Sequence, residues 1–219
     1  MNRRNFLKMF GIGAATFFLS GCGLAAADDK TVAKNISEGE KMKIVVINSS
    51  PHSNKNSTSK FLAEKFSEGA KSKGHEIFTF DAAREETNPC QGCDSCGMDG
   101  DCIFNDAISE KLMPKMLEAD LLVLVTPLYY FGFSAQMKTV IDRFYSRTGR
   151  LHGKKSIILA TAWNTADWTF TALKTHYETL VRYMEWEDVG QVWAIGCGYR
   201  SAVEKSEFAN AAFKIGANL

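Results

Sequence analysis

Four cysteines fall within thirteen residues: Cys90, Cys93, Cys96 and Cys102 stand as C-x2-C-x2-C-x5-C. Three thiols at steps of three, in a stretch that also carries Gly92, Gly97 and Gly100, can wrap around one compact cube of iron and sulfide. Cys102 would close the ligand set of such a [4Fe–4S] cluster after a longer excursion. Zinc competes as the metal, although its structural sites usually use two separated pairs of ligands. Disulfides or free thiols are the plainer readings. A second stretch, Lys43–Lys60 (KIVVINSSPHSNKNSTSK), passes from an apolar run into a loop of Ser, Asn and Thr around Pro51 and then into a helical pattern. Strand, polar loop and helix together aim free backbone N–H groups at an anion. The loop has no glycine, so it is neither a phosphate-binding G-x-x-x-x-G-K-[ST] loop nor a dinucleotide G-x-G-x-x-G turn. Side chains must therefore share in the donating. The plain alternative is an ordinary β–α turn with a Ser or Thr N-cap.

Both stretches need a frame to hold them. Of the 219 residues, 45% are hydrophobic, enough for one domain with a full core. The first 22 residues contain Arg3, Arg4 and Lys8 and no acid, leaving 23 basic and 25 acidic residues, a net charge of −2, for the remainder. A near-neutral body argues against nucleic acid as a partner. Apolar spacing predicts helices over Ser57–Lys73, Ala107–Glu118 (kinked or broken early by Pro114), Ser134–Tyr145, Asp167–Trp186 and Ser201–Leu219. Strands are expected at Ile44–Ile47, turning at Asn48, and at His75–Phe80, Asp120–Thr126, Lys155–Thr161 and Asp188–Gly196. The run DLLVLVT is apolar throughout, as in a strand covered on both faces. Five strands alternating with five helices give an α/β, flavodoxin-like, doubly wound parallel sheet of order 2-1-3-4-5, with a cysteine-bearing insertion at 81–106 after the second strand. Ligands of such sheets bind beyond the carboxyl ends of the strands, and both chemically loaded stretches lie there.

The N-terminus reads as a separate unit. Asn2–Lys8 (NRRNFLK) resembles a twin-arginine export signal, and LSGC ending at Cys22 resembles a lipoprotein box. The expected organisation is a signal at 1–22, a polar tether at 23–41 and the α/β domain at 42–219. Cys22 would be lipidated, tying the protein to the periplasmic or outer face of a membrane. Cleavage after Ala25–Ala27, or an uncleaved anchor, are the alternatives. The twin-arginine route carries folded proteins, so the signal favours a cofactor inserted before export.

NSSPHSNKNST, CQGCDSCGMDGDC and TPLYYFGFSAQMKTVIDRF together resemble the NADPH-dependent FMN reductase group of the flavodoxin-like superfamily, and the middle motif resembles its iron-sulfur flavoprotein branch. The resemblance runs from about Met42 to Gly196. It implies an FMN-dependent oxidoreductase or electron-transfer protein. By that resemblance Ser50, His52, Asn56, Ser57 and Thr58 hold the FMN phosphate. Pro127, Leu128, Tyr129, Tyr130 and Gly132 border the ribityl chain and ring, and Trp163 and Asn164 line the other side. Packing alone would also account for the tyrosines, for Trp163 and for Trp168. The family loop usually reads G-S-P-R. Here Ser49 replaces the glycine and His52 the arginine, so a fixed positive charge is missing, with Lys55 as the nearby substitute. Cys197 is expected to be a buried small hydrophobe, and His75, His152 and His176 to be packing or surface residues. The family implies NAD(P)H as donor and a homodimer or homotetramer. Export places the protein where pyridine nucleotides are scarce, so a quinone or electron-transfer protein is the expected substitute. The competing function is a non-enzymatic exported binding or metal-carrying lipoprotein on the same fold.

Overall fold

The computed structural model describes residues 41–219. The expected signal, nearly all of the tether and the candidate lipidation residue Cys22 lie outside the described residues.

Five parallel strands form one sheet in the order β2-β1-β3-β4-β5: β1 Lys43–Asn48, β2 Glu76–Asp81, β3 Leu121–Pro127, β4 Lys155–Thr161 and β5 Glu187–Ala194. The register pairs Ile44 with Ile77 and with Leu121 on the two sides of β1. The chain reverses its winding between β1 and β3, which opens a crevice at their carboxyl ends. Every residue of β3 is buried, as its unbroken apolar sequence requires.

Alternation within the strands divides the core in two. Val45, Ile47, Leu122, Leu124 and Ile158 face a layer containing Ile108, Met116, Met137, Val140 and Leu173. Ile44, Val46, Leu121, Val123, Ile157 and Leu159 face the opposite layer, with Leu62, Phe66, Val203 and Ile215. Helix α1 (Thr58–Ser72) begins where the Ser57 hydroxyl accepts the Lys60 N–H at 3.1 Å. It ends at Gly74, whose φ of 84° closes a cap in which Gly74 N–H donates to Lys71 O and His75 N–H to Ala70 O. α1 packs against the final helix, α7 (Glu207–Ala217), at backbone contact. A Cβ on Gly69 would lie 2.1 Å from Phe213 O, and one on Gly216 would lie 2.2 Å from Phe66 O.

Several helices depart from the sequence expectation. Ile108–Leu112 forms one widened π-helical turn before α2 (Met113–Glu118). Pro114 therefore stands in the first turn of α2, where its missing N–H costs little, and it does not kink a single helix. α3 (Ala135–Arg143) starts from Ser134, whose hydroxyl accepts the Met137 N–H, and then tightens into a 3-10 turn, Phe144–Arg147, and a short α4 (Thr148–Leu151). α5 occupies Thr171–Tyr183 rather than Asp167–Trp186. It stops before Glu185, which adopts a left-handed φ of 54°. The C-terminal helix is two helices, α6 (Arg200–Glu204) and α7, separated by the extended Ser206.

Candidate functional site

β1 ends at Asn48, which with the following Ser49 and Ser50 is fully buried, and the chain then surfaces at Pro51–Asn56 before Ser57 is buried again as the cap of α1. Hydroxyls hold the base of this loop. Ser49 Oγ donates to Val125 O at 3.0 Å, and Ser134 Oγ donates to Ser49 Oγ at 2.9 Å. Thr58 Oγ1 donates to Thr161 Oγ1 at 2.9 Å, joining the start of α1 to the end of β4. Ser57 is thus the N-cap that the plain reading expected, while the first-turn N–H groups of Thr58 and Ser59 have no acceptor within the helix. Asn48 Nδ2 and Ser50 Oγ are buried without a protein partner. Such atoms at the carboxyl end of β1 fit a polar group entering the crevice, since leaving them bare costs about 1–3 kcal/mol each.

His52 and Asn56 are exposed at the rim. The charge around the loop comes from elsewhere. Arg84, just beyond β2, donates from Nη2 to His52 O at 2.7 Å and pairs with Asp81 at 3.3 Å. Lys60 Nζ donates to Asn54 Oδ1 at 2.6 Å. Arg200, the first residue of α6, donates to Asn54 O at 3.1 Å and lies 4.1 Å over the Phe61 ring. Sequence reading missed both arginines, because neither lies in the loop.

Across the crevice, Pro127 is buried at the end of β3 and Leu128 and Gly132 are half-buried, whereas Tyr129 is 40% and Tyr130 100% exposed. Tyr129 and Gly132 exchange both backbone hydrogen bonds in a small hairpin, and its tip residues Tyr130 and Phe131 have φ of 45° and 65°. A left-handed conformation is strained for aromatic residues, so the tip holds its rings outward against a backbone cost. Phe131 meets Trp168 at 5.0 Å between ring centres. Trp163, 74% exposed, lies over Gly198, where a Cβ would come within 2.0 Å of its ring. Asn164 turns its own loop: Oδ1 accepts the Thr165 and Ala166 N–H groups, at 2.8 and 3.2 Å. Cys197 is buried, as expected, and burial raises its thiol pKa.

The cysteine insertion rests on the end of α3 and the segment that follows it. Arg143, 2% exposed, donates to both oxygens of Asp106 at 2.8 and 3.2 Å, to Asn88 O at 2.8 Å and to Ser109 Oγ at 2.7 Å. It therefore joins the two ends of the insertion. Burial acts to raise the Asp106 pKa, but the Arg143 guanidinium and the N–H groups of Asn88 and Ser109 hold it below the usual value. Tyr145 OH donates to Asp94 at 2.7 Å, the Thr148 N–H to Met98 O at 3.1 Å, and Arg147 pairs with Asp101. All four cysteines of the insertion are free thiols, with Cys90 and Cys93 exposed and Cys96 and Cys102 half-buried. Hydrogen bonds from the Ser95 side chain and backbone lower the pKa of the exposed Cys93, favouring the thiolate. Among the described residues, no three His, Cys, Asp or Glu side chains gather at metal-binding range.

Comparison with known proteins agrees with this layout. At the level of fold, the chain is similar to an NAD(P)H:quinone oxidoreductase from Methanothermobacter marburgensis, with a TM-score of 0.65 and 20% identity over 82% of this chain and 97% of that one. An azoreductase from Bacillus anthracis gives a TM-score of 0.65 at 16% identity, covering 81% of this chain and all (100%) of that chain. Among curated proteins, an iron-sulfur flavoprotein of Archaeoglobus fulgidus is 41% identical over 110 residues, 50% of this chain and 51% of that protein. An iron-sulfur flavoprotein of Methanocaldococcus jannaschii is 36% identical over 102 residues, 47% of this chain and 51% of that protein. The chain spans about half the length of these curated relatives. The model of the NADPH-dependent FMN reductase family matches residues 42–198, nearly the whole described domain, and the chain belongs to that family.

Proposed function

We propose that the protein is an FMN-dependent oxidoreductase of the NAD(P)H:acceptor type. The observation that carries this reading is the buried, unpartnered pair Asn48 Nδ2 and Ser50 Oγ at the switch-point crevice, beneath a loop whose helix-start N–H groups are free for an anion. Ser50, Ser57, Thr58 and the loop backbone would hold the FMN phosphate, with His52 and Asn56 at its rim. Leu128, Tyr129, Gly132 and Trp163 would border the ribityl chain and ring, and Tyr130 would face the incoming partner. Asn164 would line the ring beside Trp163, held in place by the Asx turn at its Oδ1. Bound FMN supplies two-electron acceptance from a hydride donor and one-electron release to an acceptor. The chain's own part is to bind, orient and shield: the hydroxyl network fixes the loop, and the aromatic rim excludes water from one side. No side chain is needed as acid or base.

The four thiols of the insertion are the donor set of a [4Fe–4S] cluster, which would serve as a single-electron relay. The reading is supported by the spacing and by the names of the curated relatives. Because the thiols are not gathered, cluster assembly would have to draw the insertion's tip together while Arg143 holds its base. We further propose export by the twin-arginine route, a lipid anchor at Cys22, a quinone or electron-transfer protein as acceptor, and a homodimer or homotetramer as the working unit. Flavin-free protein titrated with FMN should quench flavin fluorescence to a one-to-one end point, and the loaded protein should be bleached by NADPH and recoloured by a quinone. No quenching, or bleaching by dithionite alone, would reject the oxidoreductase reading. About four iron and four sulfide per chain, lost in Cys93→Ser, are expected after anaerobic preparation. Zinc alone, or iron unaffected by that substitution, would reject the cluster.

A further inference from the structure

We propose that Arg84 and Arg200 act as an outer clamp on the anion loop, supplying from two distant elements the organisation that an arginine within the loop would otherwise give. This inference rests on the FMN reading of the same crevice. The loop from Ser49 to Thr58 has no glycine and no residue with positive φ. Its own backbone closes a single turn, in which the Asn56 and Ser57 N–H groups both donate to Ser53 O at 2.9 Å, and two arginines grip the carbonyls around that turn. Arg84 takes His52 O from one side, and Arg200 takes Asn54 O from another and approaches Ser57 O at 3.5 Å.

The direction of these bonds matters. In a planar trans peptide, the C=O of one residue and the N–H of the next point opposite ways. Tying the carbonyls of His52, Asn54 and Ser57 outward turns the N–H groups of Ser53, Lys55 and Thr58 away from the arginines, toward the loop's inner side. A carbonyl bonded to a cation also polarises its own peptide unit, which makes the opposite N–H a better donor to an anion. Both arginines are themselves held. Arg84 is braced by Asp81, which also meets Lys60 at 3.4 Å. Arg200 is braced by Glu204 at 2.7 Å, by Glu64 at 3.4 Å and by the Phe61 ring. Lys60 adds a third cation on the Asn54 side chain. Beside Lys55 within the loop, fixed positive charge is therefore also carried on its outer side.

Such a clamp acts on the phosphate and leaves the ring untouched. The test compares FMN with riboflavin, which lacks the phosphate, on flavin-free protein by fluorescence quenching, for wild type, Arg84→Ala, Arg84→Lys and Arg200→Ala. Each alanine variant should weaken FMN about tenfold and change riboflavin less than about twofold, and Arg84→Lys should recover part of the loss. Hydrogen exchange of the Asn56 and Ser57 amides, which both donate to Ser53 O at 2.9 Å, measured without flavin, should quicken severalfold in the alanine variants. Equal weakening of both flavins, or unchanged exchange and unchanged FMN affinity, overturns the clamp. A wild-type protein that takes up no FMN overturns the cofactor reading instead, and the exchange measurement still decides whether the clamp exists.

Discussion

Replacing Arg143 by alanine should damage this protein's fold more than replacing any one cysteine of the insertion. The guanidinium is 2% exposed and meets a carboxylate that is 3% exposed. It also satisfies Asn88 O and Ser109 Oγ, so four hydrogen bonds end on one side chain. Removing one member of a buried pair costs about 3–5 kcal/mol, because the other charge is left behind. Here Asp106 keeps the N–H groups of Asn88, Ile108 and Ser109, so the lower part of that range, about 3 kcal/mol, is expected. For a domain of this size that is a Tm loss of roughly 6–12 °C. Urea unfolding of the full chain measures it. The double change Arg143→Met with Asp106→Leu should cost clearly less than the two single changes combined, since it leaves no lone buried charge, although the N–H groups of Asn88, Ile108 and Ser109 lose their acceptor. Arg143→Ala within about 1 kcal/mol of wild type, or a double variant as unstable as the singles combined, would refute the buried-clamp account.

The pH dependence of the same pair has a definite sign. A carboxylate whose folded pKa is lowered adds stability that is complete above its ordinary value of about 3.9 and is lost as pH falls through the lower folded value. The stability gap between wild type and Asp106→Asn should therefore be constant from neutral pH to about pH 5 and shrink below about pH 4 in acid-unfolding curves. Gly69→Ala should cost about 1–3 kcal/mol in urea unfolding, because its Cβ meets the Phe213 carbonyl and α7 must move away. Tyr130→Gly should leave stability unchanged or raise it by up to about 1 kcal/mol, by relieving a left-handed tyrosine, while electron transfer to a quinone slows severalfold. A destabilised Tyr130→Gly protein with unaltered turnover would show that the hairpin tip serves folding instead.

Much of the frame was legible from apolar periodicity. The five strands and their order follow from the buried run of β3 and from the alternation of strand and helix patterns, because those signals are local and repeated. The helix ends were less legible. Pro114 predicts a kink only if the helix is regular, and the π-helical turn before it moves the proline into a first turn. The break at Ser206 follows an apolar pattern that continues through it, so periodicity alone could not reveal it. At the site, the loop and the Tyr129–Gly132 hairpin stand out because their residue types are unusual at strand ends. Arg84, Arg143 and Arg200 do not, since each acts on backbone or side chains brought close only by folding. A signal existed for Arg143: it lies in the TVIDRF segment that carries the family resemblance, yet nothing in the sequence says that it faces the cysteine insertion. Asn164, grouped by resemblance with flavin-lining residues, spends its oxygen on an Asx turn, a use that a short polar side chain after a strand often has.

The central claim is that the crevice between β1 and β3 holds FMN. Its most direct test is the identity and amount of flavin released on heat denaturation of the purified protein, read by absorbance and chromatography. The expected result is FMN near one per chain, or near one per chain after reconstitution of flavin-free protein, with riboflavin bound far more weakly. Protein that is flavin-free and cannot be reconstituted, or that binds riboflavin as tightly as FMN, would contradict the assignment of the Ser49–Thr58 loop as a phosphate site.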